Sequence, residues 1–141
     1  MPYPQAQLCA YQAGMTFARL DSGKKGELLA EAFLKSKGYK IIARNYRTRL
    51  GELDMIGEDK GCVVFIEVRS ANSLRFGSPL CTVNRKKQSR IAKASLAYIK
   101  KYGLQYKDCR FDVISIEGVD SPDPKIDLIR DAFELDAQYR Y

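Results

Sequence analysis

The sequence feature that most constrains the fold is a short run in which every position is apolar. Residues 62–66 read Cys-Val-Val-Phe-Ile, whereas a strand with one solvated face would alternate apolar and polar residues. A strand of this kind is covered on both faces and lies in the centre of a sheet. The run therefore predicts a central strand over 62–69, with other elements packed on both of its faces.

The segments around this strand predict an alternating order of helices and strands. Asp21 and Ser22 offer an N-cap to a first helix that ends at Gly38, and Asn84 caps a longer second helix that ends at Gly103. Runs rich in isoleucine, valine and aromatic residues, bounded by turn residues, predict the strands. The predicted elements are a helix over 24–37, strands over 39–46, 52–57 and 62–69, a helix over 84–102, and strands over 111–117 and 126–129. We therefore expect an α/β fold, a mixed β-sheet flanked by helices.

The chain has 141 residues, a length that suits one domain. Residues 1–20 are predicted to be an N-terminal extension and residues 21–141 the domain. Hydrophobic residues make up 45% of the chain and charged residues 29%, a balance typical of globular proteins. No apolar run is long enough to span a bilayer, and the first residues do not read as a secretion signal, so we expect no membrane association and a cytoplasmic location.

Two absences narrow the chemistry available to this chain. It contains no histidine, and its four cysteines form no C-x-x-C pair. Ser-His and Cys-His nucleophile systems are therefore excluded, and the usual zinc ligand sets cannot be identified. If the protein is a hydrolase, the remaining route is a hard metal ion held by carboxylate oxygens.

Two carboxylates fall among core positions of the predicted strands. Alternation places Glu67 and Arg69 on the same face as Val63 and Phe65, and Asp54 shares a face with Ile56 in the preceding strand. If residues 58–61 form a four-residue hairpin loop, Asp54 lies opposite Phe65 and diagonal to Glu67, roughly 7–8 Å away between backbones. Two like charges near a core favour a bound divalent cation. Taken alone, Glu67 is better explained as a strand end at solvent that pairs with Arg69 or a nearby lysine, so the metal site depends on the combination of acids.

Two polar side chains on the helices extend this hypothesis. Glu27 lies at the edge of the first helix's apolar arc and could direct a third carboxylate to the same place. Gln88 lies on the inward face of the second helix, where it could orient a water or a phosphate, or equally cap a sheet carbonyl. Both readings of Gln88 stay open at this point.

The positive charge of the chain is concentrated in two segments that contain no acid. The net charge is +7, and the C-terminal region from Glu117 to Asp136 reverses the sign. Ordinary solvated faces mix both signs, so acid-free basic segments favour a polyanion partner, with nucleic acid as the leading candidate. The contacts predicted within these segments are Arg47, Arg49, Lys86, Lys87 and Arg90. The two segments contain Lys35, Lys37, Lys40, Arg44, Arg47 and Arg49, and then Arg85, Lys86, Lys87, Arg90, Lys93, Lys100 and Lys101.

The motifs together resemble a known group of proteins. Asp54, followed after twelve residues by Glu67-Val68-Arg69, resembles the PD-(D/E)xK signature of restriction-endonuclease-like nucleases. The wider set of motifs, over 23–133, closely resembles the bacterial YraN-type family and, more distantly, archaeal Holliday-junction resolvases. That set is Gly26-Glu27, Asn45-Tyr46-Arg47, Gly51-Glu52-Leu53-Asp54, Phe65-Ile66-Glu67-Val68-Arg69, Phe76-Gly77, Lys86-Lys87-Gln88 and Phe111-Asp112-Val113.

The resemblance implies a restriction-endonuclease-like fold, a magnesium or manganese site and a nucleic-acid substrate, with DNA ahead of RNA. Asp54 and Glu67 would be the metal ligands and Glu27 an additional acid. One residue departs from the signature, because Arg69 stands where lysine is expected. Arginine stays protonated and cannot relay a proton, although it can bind a phosphate through two hydrogen bonds.

Three functions follow as hypotheses. The first is a metal-dependent endonuclease acting on DNA, including branched or otherwise structured DNA, with Glu27, Asp54, Glu67, Arg69 and Gln88 at its site. The second is a nucleic-acid-binding module of the same fold with weak or no cleavage, because Arg69 replaces the lysine. The third is a protein-interaction domain that uses the acidic C-terminal region. A resolvase-like function would need two active sites, and therefore a homodimer.

Overall fold

The computed structural model describes residues 17, 20–71 and 83–135. Most of the predicted extension over 1–20 lies outside these residues. Asp21 caps the first helix by accepting a hydrogen bond from the Lys24 N–H at 2.8 Å, and Asn84 caps the second by accepting one from the Lys87 N–H at 2.9 Å. The elements are α1 (Ser22–Ser36), β1 (Lys40–Arg47), β2 (Glu52–Asp59), β3 (Cys62–Ala71), α2 (Arg85–Tyr102), β4 (Cys109–Glu117) and β5 (Lys125–Phe133).

The five strands form one sheet in the order β1-β2-β3-β4-β5. Neighbouring strands run antiparallel except β3 and β4, which run parallel and are joined by the crossover that contains α2. The predicted mixed sheet with β3 at its centre is therefore confirmed, and the architecture is consistent with a restriction-endonuclease-like fold. No helix in the described part of the chain is long and apolar enough to cross a bilayer.

A separate apolar cluster covers each face of the sheet. On one face Leu29 and Leu34 of α1 pack against Val64 and Ile66 of β3. On the other face Ile91 and other residues of α2 pack in a cluster with Val63 and Phe65. The two sets of β3 residues alternate along the strand, as its fully apolar sequence predicts.

The hairpin between β2 and β3 is tighter than expected. Strand β2 continues to Asp59, and Lys60 and Gly61 alone form the turn, with φ angles of 50° and 84°. Two successive positive φ angles characterise the turn that matches the natural twist of a hairpin, and it needs only two residues. The four-residue loop over 58–61 is therefore wrong, and Ile56 rather than Asp54 pairs with Phe65.

The last strand is longer than the four residues predicted. Strand β5 runs from Lys125 to Phe133, with a register shift against β4 and a φ of 52° at Asp131. A bulge of this kind breaks the two-residue alternation by which a half-buried strand is recognised in sequence. Because charged residues surround this bulge, the sequence pattern did not predict the second half of β5.

Candidate functional site

Asp54 and Glu67 meet where β2 separates from β3. The last backbone pair of this ladder joins Met55 to Ile66. Beyond it, the Asp54 carboxylate accepts a hydrogen bond from the Val68 N–H at 2.8 Å, so a side chain continues the contact between the strands. The Glu67 carboxyl is hydrogen-bonded to Asp54 and is only 5% exposed. The predicted acidic pair therefore forms, although in a register two residues away from the one expected.

The environment of Glu67 disfavours its negative charge. Burial raises the pKa of Glu67 to about 7, and the charge of Asp54 adds to this effect, whereas a hydrogen bond from Lys87 opposes it. Burial and a neighbouring carboxylate both disfavour the ionised form, so the Glu67 carboxyl keeps its proton to a higher pH than an exposed carboxyl does. A cation bound in place of that proton would offset the same effects.

Two basic side chains contact Glu67. Lys87 Nζ lies 2.7 Å from Glu67 Oε1, and Arg69 Nη1 lies 3.5 Å from the same oxygen. Pairing of Glu67 with Arg69 or a nearby lysine was the alternative to a metal site, and both contacts are present, although Lys87 was not named as that lysine. A signal existed in the sequence, because Lys87 lies one turn before Ile91 and two turns before Ala94, both of which are buried on the α2 side of the sheet.

A cavity of about 710 Å³ opens beside the carboxylates. It lies between the turn that joins β1 to β2 and the first half of α2. All five residues predicted to contact nucleic acid line it together with Asp54 and Glu67, so the fold brings the two basic segments to one place. The full lining is Arg47, Thr48, Arg49, Leu50, Gly51, Glu52, Asp54, Glu67, Asn84, Lys86, Lys87, Arg90 and Ile91.

The β1–β2 turn is held against α2 by a glycine. Thr48 closes the turn, since its hydroxyl oxygen accepts hydrogen bonds from the Leu50 and Gly51 N–H groups, both at 3.1 Å. A Cβ added to Gly51 would lie 2.5 Å from the Arg90 carbonyl oxygen. Only glycine allows the turn this close to α2, and the approach places Arg49 and Arg90 on facing walls of the cavity.

Glu27 reaches the same region from the other face of the sheet. Gly26 permits this, because a Cβ there would lie 2.7 Å from the Ser70 hydroxyl oxygen of β3. The Glu27 carboxyl is hydrogen-bonded to Asn45 and lies 3.7 Å from Lys24 Nζ. Burial raises the pKa of Glu27, and the charge of Asp54 adds to the rise, which shows that the two acids are near each other.

The complete set of predicted site residues does not line one surface. Within residues 17, 20–71 and 83–135, no group of three or more carboxylate or thiolate side chains forms a metal-holding cluster. Glu27, Arg69 and Gln88 are not among the described residues that line the cavity. The Gln88 amide donates a hydrogen bond to the Val83 carbonyl at 2.9 Å, so it caps the start of its own helix and not a sheet carbonyl.

Part of the first basic segment is neutralised within the protein. Glu31 of α1 is buried, forms two hydrogen bonds with Arg44, and lies 2.9 Å from Lys35 Nζ. The Arg44 hydrogen bonds hold the pKa of Glu31 below its ordinary value. The first basic segment contains no acid in sequence, yet two of its cations, Lys35 and Arg44, pair with Glu31 in the folded protein.

Comparisons with known proteins place the chain in a family. A model described as "Uncharacterised protein family UPF0102" matches residues 26–116. A UPF0102 protein of Desulfosudis oleivorans is 41% identical over 116 residues, which cover 82% of this chain and 92% of the relative. A UPF0102 protein of Thermodesulfovibrio yellowstonii is 44% identical over 116 residues, covering 82% of this chain and 98% of the relative. These matches confirm the YraN-type resemblance, and the chain belongs to the UPF0102 family.

Proposed function

We propose that this protein is a metal-dependent endonuclease that cleaves phosphodiester bonds in DNA, with branched or otherwise structured DNA as its substrate. The observation that carries the proposal is the cavity in which Asp54 and Glu67 lie beside five basic side chains. Cations bind phosphates on either side of a scissile bond, and paired acids hold the metal. A cavity built only to bind a polyanion would gain nothing from a buried glutamate beside an aspartate.

The acidic pair fits a divalent cation. Magnesium is commonly bound through one or two carboxylates, with water and substrate phosphate as its other ligands, so Asp54 and Glu67 suffice as the protein ligands. The raised pKa of Glu67 supports this assignment, because it shows a charge excess at these two acids. When bound, such a cation supplies Lewis acidity at the phosphate and lowers the pKa of a water molecule.

The remaining cavity residues position the DNA backbone. Arg47 and Arg49 on the turn, and Lys86 and Arg90 on α2, face each other across the cavity and would bind successive phosphates. Lys87 touches Glu67 and can orient that carboxylate, while its ammonium group remains available to a phosphate oxygen. The arginines act as fixed charges because they stay protonated at any working pH.

Cleavage of labelled DNA tests the proposal. We expect magnesium or manganese to support cutting of at least one of single-stranded, duplex or four-way-junction DNA, and EDTA to stop it. Asp54→Asn and Glu67→Gln should each lower the rate by at least about a hundredfold, since metal binding is worth several kcal/mol at the transition state. Glu58→Gln, on the same strand but outside the cavity lining, is the matched control and should retain activity.

A second function is favoured by one residue. Arg69 stands where the nuclease signature has lysine, which suits a module that binds nucleic acid with little or no cleavage. Binding that weakens steeply with salt, without metal-dependent products, would select this function. A faster rate for Arg69→Lys would show instead that cleavage occurs and that arginine limits it.

A further inference from the structure

A row of exposed cations extends from the cavity along the full length of α2. At 100° per residue, Lys86, Arg90, Lys93, Lys100 and Lys101 fall within an arc of about 100°, and all five are exposed. There is no acidic residue anywhere between Asn84 and Lys107. Like charges three and four residues apart destabilise a helix, so this face favours a partner that carries regularly spaced negative charges.

Two exposed tyrosines lie where α2 ends, Tyr102 about 100° around the helix from Lys101 and Tyr106 in the turn that follows. The side chains of Tyr102 and Tyr106 are 53% and 101% exposed, whereas Tyr98 is 6% exposed. The Tyr102 ring packs on Tyr98, with 4.6 Å between ring centroids, and Tyr98 in turn packs edge-on against Phe65. Lys101 Nζ lies 5.5 Å from the centre of the Tyr102 ring.

The turn after α2 carries the second tyrosine, four residues after the first. Gly103 ends the helix with a φ of 65°, and the Leu104 N–H donates to the Ile99 carbonyl at 2.9 Å. The Lys107 N–H then donates to the Leu104 carbonyl at 3.0 Å, which closes a short turn around Tyr106. Tyr102 thus keeps one contact with the core through Tyr98 while most of its ring is exposed, and the side chain of Tyr106 is fully exposed.

We propose that α2 guides an unpaired nucleic-acid strand out of the cavity, and that bases of this strand stack on Tyr102 and Tyr106. Aromatic rings beside a basic groove are the usual means of binding single strands, because every unpaired base offers a flat face, whereas a duplex covers the faces of its bases. The ligand is thus a single-stranded extension of the substrate. This inference rests on the proposed function, and it names the class of structured DNA that the site takes.

The length of α2 sets the length of strand required. Lys87 and Tyr102 are fifteen residues apart, which corresponds to about 22 Å along the helix. At the duplex spacing of about 3.4 Å per nucleotide, this distance is spanned by about seven nucleotides, and by fewer in a more extended strand. An extension of two nucleotides therefore cannot reach the tyrosines, and one of ten nucleotides can.

Fluorescence anisotropy with the full chain in EDTA, which prevents cleavage, tests this inference. The DNA is one duplex with a blunt end, a two-nucleotide extension or a ten-nucleotide extension. We expect the ten-nucleotide extension to tighten binding at least about fivefold over the other two, since stacking of each base is worth about 1–3 kcal/mol. The double variant Tyr102→Leu/Tyr106→Leu should lose this gain without changing its affinity for the blunt duplex. Tyr102→Phe/Tyr106→Phe, which keeps both rings, is the matched control and should retain it.

Several results would overturn the inference. The first is equal affinity of the wild-type protein for all three DNAs. The second is a leucine variant that loses as much affinity for the blunt duplex as for the extended one. The third is a phenylalanine variant that loses as much affinity for the extended DNA as the leucine variant does. If the double leucine variant unfolds, Tyr106→Leu alone decides, because that side chain is fully exposed. Reduced binding of the leucine variant to phosphatidylserine vesicles, with unchanged DNA binding, would assign the surface to a membrane instead.

The outcome is separable from that of the proposed function. Metal-dependent cleavage without a preference for the long extension would overturn only the tyrosine surface. A preference abolished by the leucine variant, without cleavage under any metal, would overturn only the nuclease. Failure of the wild-type protein to bind any nucleic acid would overturn both.

Discussion

Strand β2 carries an aspartate near each end, and the two have opposite surroundings. Asp59 lies 2.8 Å from Arg110, whose guanidinium lowers the pKa of this carboxyl. The same guanidinium binds Asp112 at 2.9 Å, and Asp112 also accepts hydrogen bonds from the Tyr39 hydroxyl and the Asp131 N–H. Every carboxylate in this cluster is matched by donors that belong to the protein.

Asp54, at the other end of β2, shares its surroundings with Glu67. There Lys87 and Arg69 both contact Glu67, at 2.7 Å and 3.5 Å, and the pKa of Glu67 is raised nonetheless. The difference is informative, because β2 contributes one aspartate to each cluster, and Arg110 binds both carboxylates of the first cluster. The Asp59 cluster is closed, because protein donors match its carboxylates, whereas the pair of Asp54 and Glu67 is open, because it lines the cavity.

The largest expected effect is on the closed cluster. Arg110→Met removes the shared partner of Asp59 and Asp112, and we expect the free energy of unfolding to fall by about 3–5 kcal/mol, since buried carboxylates are left unpaired. Urea denaturation measures this loss. Arg44→Met is the matched control, because Arg44 also binds a buried carboxylate but is half exposed, and Lys35 would still pair with Glu31. Equal losses in the two variants would mean that Arg110 stabilises the fold no more than a half-exposed arginine with a replaceable partner does.

The open pair of Asp54 and Glu67 should make the protein less stable when Glu67 ionises. Burial raises the pKa of Glu67 from 4.5 to about 7, so the folded state binds this proton more tightly than the unfolded state does. The stabilisation from Glu67 is thus present at low pH and lost as pH rises from about 4.5 through 7. Relative to Glu67→Gln, the wild-type protein should lose on the order of 3 kcal/mol across this range.

Urea denaturation of both proteins without divalent cations, at intervals from pH 4.5 to 8, measures the effect on Glu67. Added magnesium should then stabilise the wild-type protein at pH 8 and leave Glu67→Gln unchanged. A constant difference between the two proteins over the whole range would mean that the Glu67 carboxyl has an ordinary pKa. The open pair would then carry no excess charge.

The smallest effect concerns the wall of the cavity. Gly51→Ala pushes the β1–β2 turn away from the Arg90 carbonyl and should cost on the order of 2 kcal/mol of stability, because the clash is with backbone. Affinity for DNA should also fall, as Arg47 and Arg49 move away from α2. Gly61→Ala is the matched control. The φ of 84° at Gly61 would strain an alanine there, but Gly61 lies in the other hairpin, and an added Cβ would meet no atom within 4 Å. Equal DNA affinity in both variants would show that the close approach of the turn is not needed for binding.

Much of the fold followed from local chemistry. The helix caps Asp21 and Asn84 and the apolar run of β3 each act within a few residues, so their elements were predicted nearly to the residue. The register of β2 was not predictable from alternation, because it depends on whether Lys60 accepts a positive φ. That choice is made by the twist of the two strands and not by the side chain alone.

The site was predicted in its composition better than in its contacts. Asp54, Glu67 and all five cavity cations were identified because they break the apolar pattern or the mixing of charges. The pairing of Glu31 with Arg44 was not predicted, and Lys87 was not named as the lysine beside Glu67, since both contacts join residues from separate elements. Sequence shows which charges are unusual, whereas only the packing of helices on the sheet shows which of them neutralise each other.

The parallel pairing of β3 with β4 has a consequence for the order of folding. Strands β1 to β3 are joined by short turns and can pair before β4, which joins β3 only across the long crossover that contains α2. Asp54 and Glu67 lie on the two strands of an early hairpin, whereas Lys87 lies on the crossover. We expect the chain to pass through a stage in which two carboxylates repel each other without their lysine, so that magnesium or mild acid would speed refolding.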